Sequence, residues 1–151
     1  MQKVVIDTNC LISYVTDRDL KQQEIVSSVL EQAAGLKICI YCHFHVISEF
    51  IFVLDSVYDV NPKDIRVMAM EFLSMPGVEF ISEINTKTLF NFWPERIRDY
   101  GDAIIAATCR HIRGSAVLTF DSKFKASLKG LGLKIYRKRS QGTASALLSG
   151  I

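Results

Sequence analysis

The apolar positions of this chain alternate between two periods. Val4, Val5 and Ile6 form a β-branched run without alternation, the pattern of a strand buried on both faces, and the run stops at Asp7. Thr8 and Asn9 then offer helix-capping chemistry before another apolar segment. Over residues 20–34, Leu20, Ile25, Val26, Val29, Leu30 and Ala33 fall on one helical stripe that Gly35 ends. Residues 37–41 read as a second buried strand, and 43–58 as an apolar-rich helix with Glu49 in its second turn. Asn61-Pro62-Lys63-Asp64 is a strong helix start, with Asn as cap, Pro at the first position and an acid in the first turn. Ile65, Met68, Ala69, Phe72 and Leu73 continue that helix until Pro76-Gly77.

A third strand follows at 78–81 and a helix at 86–93. Another helix opens at Asp99 and runs through Ile104, Ile105, Ala107, Thr108 and Ile112 to Gly114. Residues 116–120 form a strand that ends at Asp121, and a short helix over 122–128 leads to a last strand at 133–137. Strands alternating with helices predict an α/β fold, a three-layer αβα arrangement around a mostly parallel sheet of about five strands. The pattern shows no repeat and no interdomain linker, so residues 1–139 are expected to form one domain. Residues 140–151 are small and polar up to Ala146-Leu147-Leu148 and are expected to be mobile or to dock on a partner.

The 151 residues are 49% hydrophobic, enough for one sizeable core. No apolar run approaches the roughly 18 residues of a membrane span, and Lys3 enters a strand at once, so no membrane association and a cytoplasmic location are expected. Cys10, Cys39, Cys42 and Cys109 are then expected to stay reduced. The net charge is +2 but uneven: from Arg110 to Arg139 nine basic residues face Asp121 alone, leaving the remainder at −6. A basic third beside an acidic body points to a polyanionic partner, with a solvated helix face as the plainer account.

Four acids stand out by position. Asp7 and Asp121 each end a buried strand, Asp102 opens the helix feeding the Asp121 strand, and Glu49 lies early in the helix after the second strand. In a right-handed wound sheet, strand carboxyl ends and the helix amino ends they feed share the edge where ligands bind. For Asp7 alone, capping the following helix is an equally good account. Together, four carboxylates repel and call for a counter-charge, which a hard divalent cation such as Mg²⁺ or Mn²⁺ supplies.

Other motifs carry less. Cys39-x-x-Cys42 with His43 and His45 invites a zinc reading, but there is no second ligand pair, and Cys39 between Ile38 and Ile40 is more simply a core residue. Asp99 is read as a helix cap, Asp55 and Asp59 as solvated, and His111 as a surface residue. Phe90, Phe92, Trp93 and Tyr100 have the character of base-stacking residues, but such spacing fits a core or a dimer face better.

The segments V-V-I-D-T-N-C-L-I, V-I-S-E-F, G-D-A-I-I-A-A-T-C and L-T-F-D-S-K-F, in this order and spacing, resemble the PIN domain. Among its members the chain is most similar to the VapC-type toxins of toxin–antitoxin pairs. The resemblance covers residues 4 to about 136. It implies that the family's acids fall on Asp7, Glu49, Asp102 and Asp121, and its small polar residues on Thr8, Asn9 and Thr119. It further implies Mg²⁺- or Mn²⁺-dependent endoribonuclease activity on RNA, a homodimer, and inhibition by a cognate antitoxin. Thr119, two positions before Asp121, is expected on the same strand face.

On this reading Asp7, Asp102 and Asp121 are the principal metal ligands, and Glu49 completes the site or orients the attacking water. Lys123 and Lys125 hold backbone phosphates, with Arg110, Arg113 and the run 137–139 further out, although solubility alone accounts for any one of them. A haloacid-dehalogenase-type phosphatase also begins with an acid after its first strand, but it wants a second Asp where Asn9 stands. A non-catalytic RNA- or protein-binding module, a stand-alone RNA-processing nuclease and a DNA-directed nuclease are the remaining alternatives.

Overall fold

The computed structural model describes residues 1–138. The segment 140–151 and its expected role lie outside the described residues. The elements are β1 (Gln2–Ile6), α1 (Thr8–Val15), α2 (Leu20–Ala34), β2 (Ile38–His43), α3 (Phe44–Ser56), α4 (Pro62–Leu73), β3 (Val78–Ile81), α5 (Thr86–Phe92), α6 (Tyr100–His111), β4 (Ser115–Leu118), α7 (Ser122–Gly130) and β5 (Lys134–Ile135). The five strands pair in parallel in the order β3-β2-β1-β4-β5, the αβα architecture expected.

β1 lies at the middle of the sheet, which explains its lack of alternation. It pairs with β2 on one side and β4 on the other, and Val4, Val5 and Ile6 are wholly buried. The chain winds outward from β1 to β3, then returns to build β4 and β5 on the other side. Right-handed crossovers therefore put α1–α4 on one face and α5–α7 on the other. The winding reverses between β1 and β4, and at such a switch point the strand carboxyl ends leave a crevice.

Local chemistry sets two helix starts as expected, but Thr8 and Asn9 do not cap α1, whose N-cap position Asp7 holds. Asn61 accepts from the Lys63 N–H at 2.9 Å with Pro62 as the first helical residue, and Asp99 accepts from the Asp102 N–H at 2.9 Å. The α2 stripe is buried through Val26, Val29, Leu30 and Ala33, but Leu20, the first residue of the helix, is 66% exposed, contrary to expectation. Gly77 lies against α2 so closely that a Cβ there would overlap the Ala33 carbonyl.

Strand boundaries differ most from expectation. β2 runs two residues past 41 because Cys42 and His43 pair with Phe80 and Ile81 of β3; the His43 ring then caps α3, its Nδ1 accepting from the His45 N–H at 3.0 Å. Its Nε2 lies 3.2 Å from the Glu83 carbonyl, an acceptor, so the ring proton sits on Nε2. Burial lowers the His43 pKa and favours this neutral form. β4 ends at Leu118 rather than at 120, so Thr119 lies beyond the strand and the pleat does not direct it. β5 is two residues long rather than five. No helix among the described residues is long and apolar enough to cross a membrane.

Candidate active site

Asp7 is the first residue past β1 and faces the crevice between β1 and β4. It holds the N-cap position of α1, yet its side chain makes no capping bond. Instead Oδ2 accepts from the Thr119 hydroxyl at 2.7 Å, across the switch point. Capping therefore does not account for this acid. Thr119 is held in turn: its Oγ1 accepts from the Asp121 N–H at 3.2 Å, and these two bonds orient it where strand geometry does not. Asp121 is exposed and caps α7 through Oδ1, 2.9 Å from the Phe124 N–H.

Glu49, on α3, accepts from the Thr8 hydroxyl through Oε2 at 2.9 Å and from the His45 ring through Oε1 at 2.7 Å. In the sequence His45 stands out only as a possible zinc ligand, and its pairing with Glu49 is missed, although a spacing of four on one helix is a usable signal. Asp102 sits in the first turn of α6, with its own N–H bonded to Asp99. Asn9 is exposed, and its carbonyl accepts from Arg18 Nη2 at 2.8 Å. Arg18, in the loop after α1, reaches this edge by a turn that no sequence signal announced.

The four acids share one electrostatic environment. Asp7 is pushed up to about 6, first by burial and further by Glu49 and Asp121, with the Thr119 bond opposing. Asp102 is pushed up to about 8, again chiefly by burial, with Asp7, Asp99, Asp121 and Glu49 all adding repulsion. Glu49 is lowered, mainly by the His45 hydrogen bond, and His45 is raised mainly by the same bond. Among the described residues His45–Glu49 is the single ion pair, so no lysine or arginine pairs with Asp7, Asp102 or Asp121.

The basic residues divide. Lys123 and Lys125 follow Asp121 in the first turn of α7, beside the acids. Arg110 lies eight residues beyond Asp102, about 12 Å further along α6. Its guanidinium bonds the Leu131 carbonyl at 2.7 Å and stacks on Phe92. The Arg113 carbonyl accepts from Lys3 near the start of β1, at the opposite end of the sheet. The structure therefore does not bring Arg110 and Arg113 to the acids. Phe90, Trp93 and Tyr100 pack edge to face on one another, with Phe90 57% and Tyr100 44% exposed, while Phe92 is buried. All four cysteines are free and buried.

The donor set suits a hard divalent ion, since every candidate ligand is a carboxylate oxygen. Among the described residues no three acidic, histidine or cysteine side chains converge closely enough to ligate one ion together. Four carboxylates in one electrostatic environment without a three-ligand cluster fit an ion of the Mg²⁺ type, which keeps several waters and takes one or two carboxylates directly. Asp7 and Asp102 are among the residues that could do so, since burial and the neighbouring acids make ionising them without a counter-charge unfavourable.

Comparison with protein families matches the PIN domain over residues 4–127. A search of curated proteins finds no match. Among solved structures, VapBC2 from Rickettsia felis, bound to a DNA fragment from its promoter, superposes with a TM-score of 0.68 at 17% identity, covering 89% of this chain and 98% of the other. VapC20 of Mycobacterium tuberculosis, a toxin that cleaves the sarcin–ricin loop, gives 0.62 at 18% identity, covering 89% and 99%. The PIN domain endonuclease Utp24 gives 0.50 at 17% identity, covering 84% and 77%. At these identities the likeness establishes a shared fold.

Proposed function

We propose that this chain, which belongs to the PIN domain family, is an Mg²⁺- or Mn²⁺-dependent endoribonuclease that hydrolyses RNA phosphodiester bonds and acts as the toxin of a toxin–antitoxin pair. One observation carries the catalytic part: Asp7 and Asp102, at the strand carboxyl edge, are respectively buried and half-buried among acids that raise their pKa values, Glu49 and Asp121 acting on each, with no lysine or arginine pairing either among the described residues. A fold that only had to be stable would not keep this repulsion. The RNA-cleaving toxin among the structural neighbours supports RNA as substrate, and the VapBC2 complex supports an antitoxin.

When bound, the divalent ion supplies polarisation of a phosphate oxygen and of an attacking water. The chain's residues do the rest. Thr119 fixes one oxygen of Asp7, leaving the other free to point into the crevice. Asp102, whose carboxyl is pushed up to about 8 by burial and the neighbouring acids, would be one of the residues to hold the ion. Glu49, with one donor on each oxygen, stands ready to orient water, and Asp121 lines the rim while capping α7. Lys123 and Lys125 hold the flanking backbone phosphates.

Protein partners are supported by a second surface. Ile51, Ile65, Ala69, Met70 and Leu73 line an apolar groove between α3 and α4, with Phe52 and Val67 largely exposed beside it. A patch of this kind is buried by a second copy or by an antitoxin.

The decisive experiment is cleavage of a single-stranded RNA with Mg²⁺ or Mn²⁺, with EDTA and with a DNA of the same sequence as controls. Asp7→Asn is expected to reduce metal-dependent cleavage by at least about 100-fold, beyond the 10–100-fold typical of losing an outer partner. Full activity of Asp7→Asn, or cleavage indifferent to EDTA, refutes the assignment. Mn²⁺ affinity measured by calorimetry is expected to rise from pH 6 to pH 8 and then level off. Asp7 and Asp102 are protonated below about 6 and 8 respectively, so protons compete with the ion in that window.

A further inference from the structure

We infer that His45 is a positioning residue of the acid site, acting on it through Glu49. The inference rests on the nuclease reading and adds to it a residue outside the carboxylate set.

Glu49 is held from three directions. Thr8, at the start of α1, donates to Oε2 at 2.9 Å, and His45, one turn earlier on α3, contacts Oε1 at 2.7 Å. The third restraint is α6. A Cβ on Gly101 would stand 2.7 Å from both Glu49 Oε1 and His45 Nε2, and 3.2 Å from Asp99 Oδ1. The first turn of α6 thus closes over the pair with room for a hydrogen atom only, which explains a glycine next to Asp102. An ionised carboxylate only accepts, so His45 Nε2 carries the proton of the 2.7 Å bond.

A glutamate on a helix surface ordinarily rotates about three side-chain bonds. Donors from α1 and α3, with α6 backbone above, fix the plane of this carboxylate before any ion arrives. Each oxygen keeps a further lone pair, so Glu49 can accept from a water or face an ion without reorienting. An i,i+4 pair kept only for helix stability contributes a few tenths of a kcal/mol and has no reason to affect metal binding. Outer partners of metal-site carboxylates typically set affinity or activity by 10–100-fold. The two roles are therefore separable by measurement.

The test is Mn²⁺ calorimetry on the full metal-free chain, with thermal melts alongside. His45→Ala is expected to weaken Mn²⁺ binding about 10-fold or more while the melting temperature moves little. His45→Gln, which keeps a neutral donor, recovers part of the loss. Gly101→Ala pushes both side-chain ends aside without removing either, and is expected to weaken binding in the same direction. In a Glu49→Gln background, His45→Ala produces no further loss, because it acts through the missing carboxylate. Wild-type affinity in His45→Ala, or a loss undiminished in the Glu49→Gln background, overturns the role of His45 alone. If His45→Ala does not fold, His45→Gln and Gly101→Ala decide the question by the same criterion. A wild-type chain that binds no Mn²⁺ overturns this inference together with the nuclease reading.

Discussion

Asp102→Asn is expected to make the protein more stable at pH 9 and nearly inert as a nuclease. In the folded chain Asp102 titrates near 8, against about 3.8 for a free aspartate, because it is partly buried among Asp7, Asp99, Asp121 and Glu49. The folded state therefore holds a proton that the unfolded state has released. Stability attributable to this group falls as pH rises from about 4 to about 8, then stays low. Asparagine removes the effect, so wild type and variant should melt together near pH 4 and diverge with rising pH. With a discount for solvent at a part-buried site, the gap at pH 9 is on the order of 2 kcal/mol, or about 4–8 °C for a domain of this size. Melts at pH 4, 7 and 9 check it, and a variant less stable at every pH contradicts it. Adding Mn²⁺ should reverse the order, since wild type gains about 2.7 kcal/mol at 100 times its Kd and the variant gains little.

Gly77→Ala is expected to be the most damaging of the conservative substitutions. A Cβ at this position would overlap the Ala33 carbonyl oxygen and lie 2.7 and 2.8 Å from its carbon and Cα. All three are backbone atoms of α2, so no side-chain rotation relieves the clash. Retreat of residue 77 is opposed as well, because its carbonyl accepts from the Ile40 N–H at 2.7 Å at the join of β2 and β3. Either α2 or the β3 edge has to shift, at a cost of about 1–3 kcal/mol or more. Urea titration should show a lower midpoint with an unchanged slope. Gly130→Ala, with open space around its Cβ, is the matched control and should lose nothing. Gly101→Ala lies between the two, since what it meets is the ends of side chains that can swing away.

What could be read from the sequence was whatever depends on neighbours in the chain. The unalternating Val4-Val5-Ile6 run marked β1 as a strand buried on both faces, and Asn61-Pro62 and Asp99 marked helix starts that the hydrogen bonds bear out. What could not be read depends on contacts between distant segments. β2 was taken two residues short because the pairing of Cys42 and His43 with β3 is such a contact, and a histidine ring serving as a helix cap has no simple signature, whereas Asn and Asp caps do. Thr119 was expected to face Asp121 by strand alternation, but β4 ends before it and two hydrogen bonds set its direction. Arg110 and Arg113 counted toward a basic region in one dimension, whereas α6 and the turn after it carry them away from the acids in three. Nothing in the sequence marks Gly101 as the point where α6 closes on Glu49 and His45 of α3.

The central place of β1 has a consequence for how this protein is made. β1 is synthesised well before its neighbour β4, and Thr119, which holds Asp7, lies 112 positions downstream. Such long-range pairing folds slowly compared with local structure. While a ribosome is still reading the earlier codons, Asp7 has no Thr119 to hold it and Asp121 does not yet exist. Under the proposed ribonuclease function, this order of assembly would keep the emerging polypeptide harmless to the very message that encodes it.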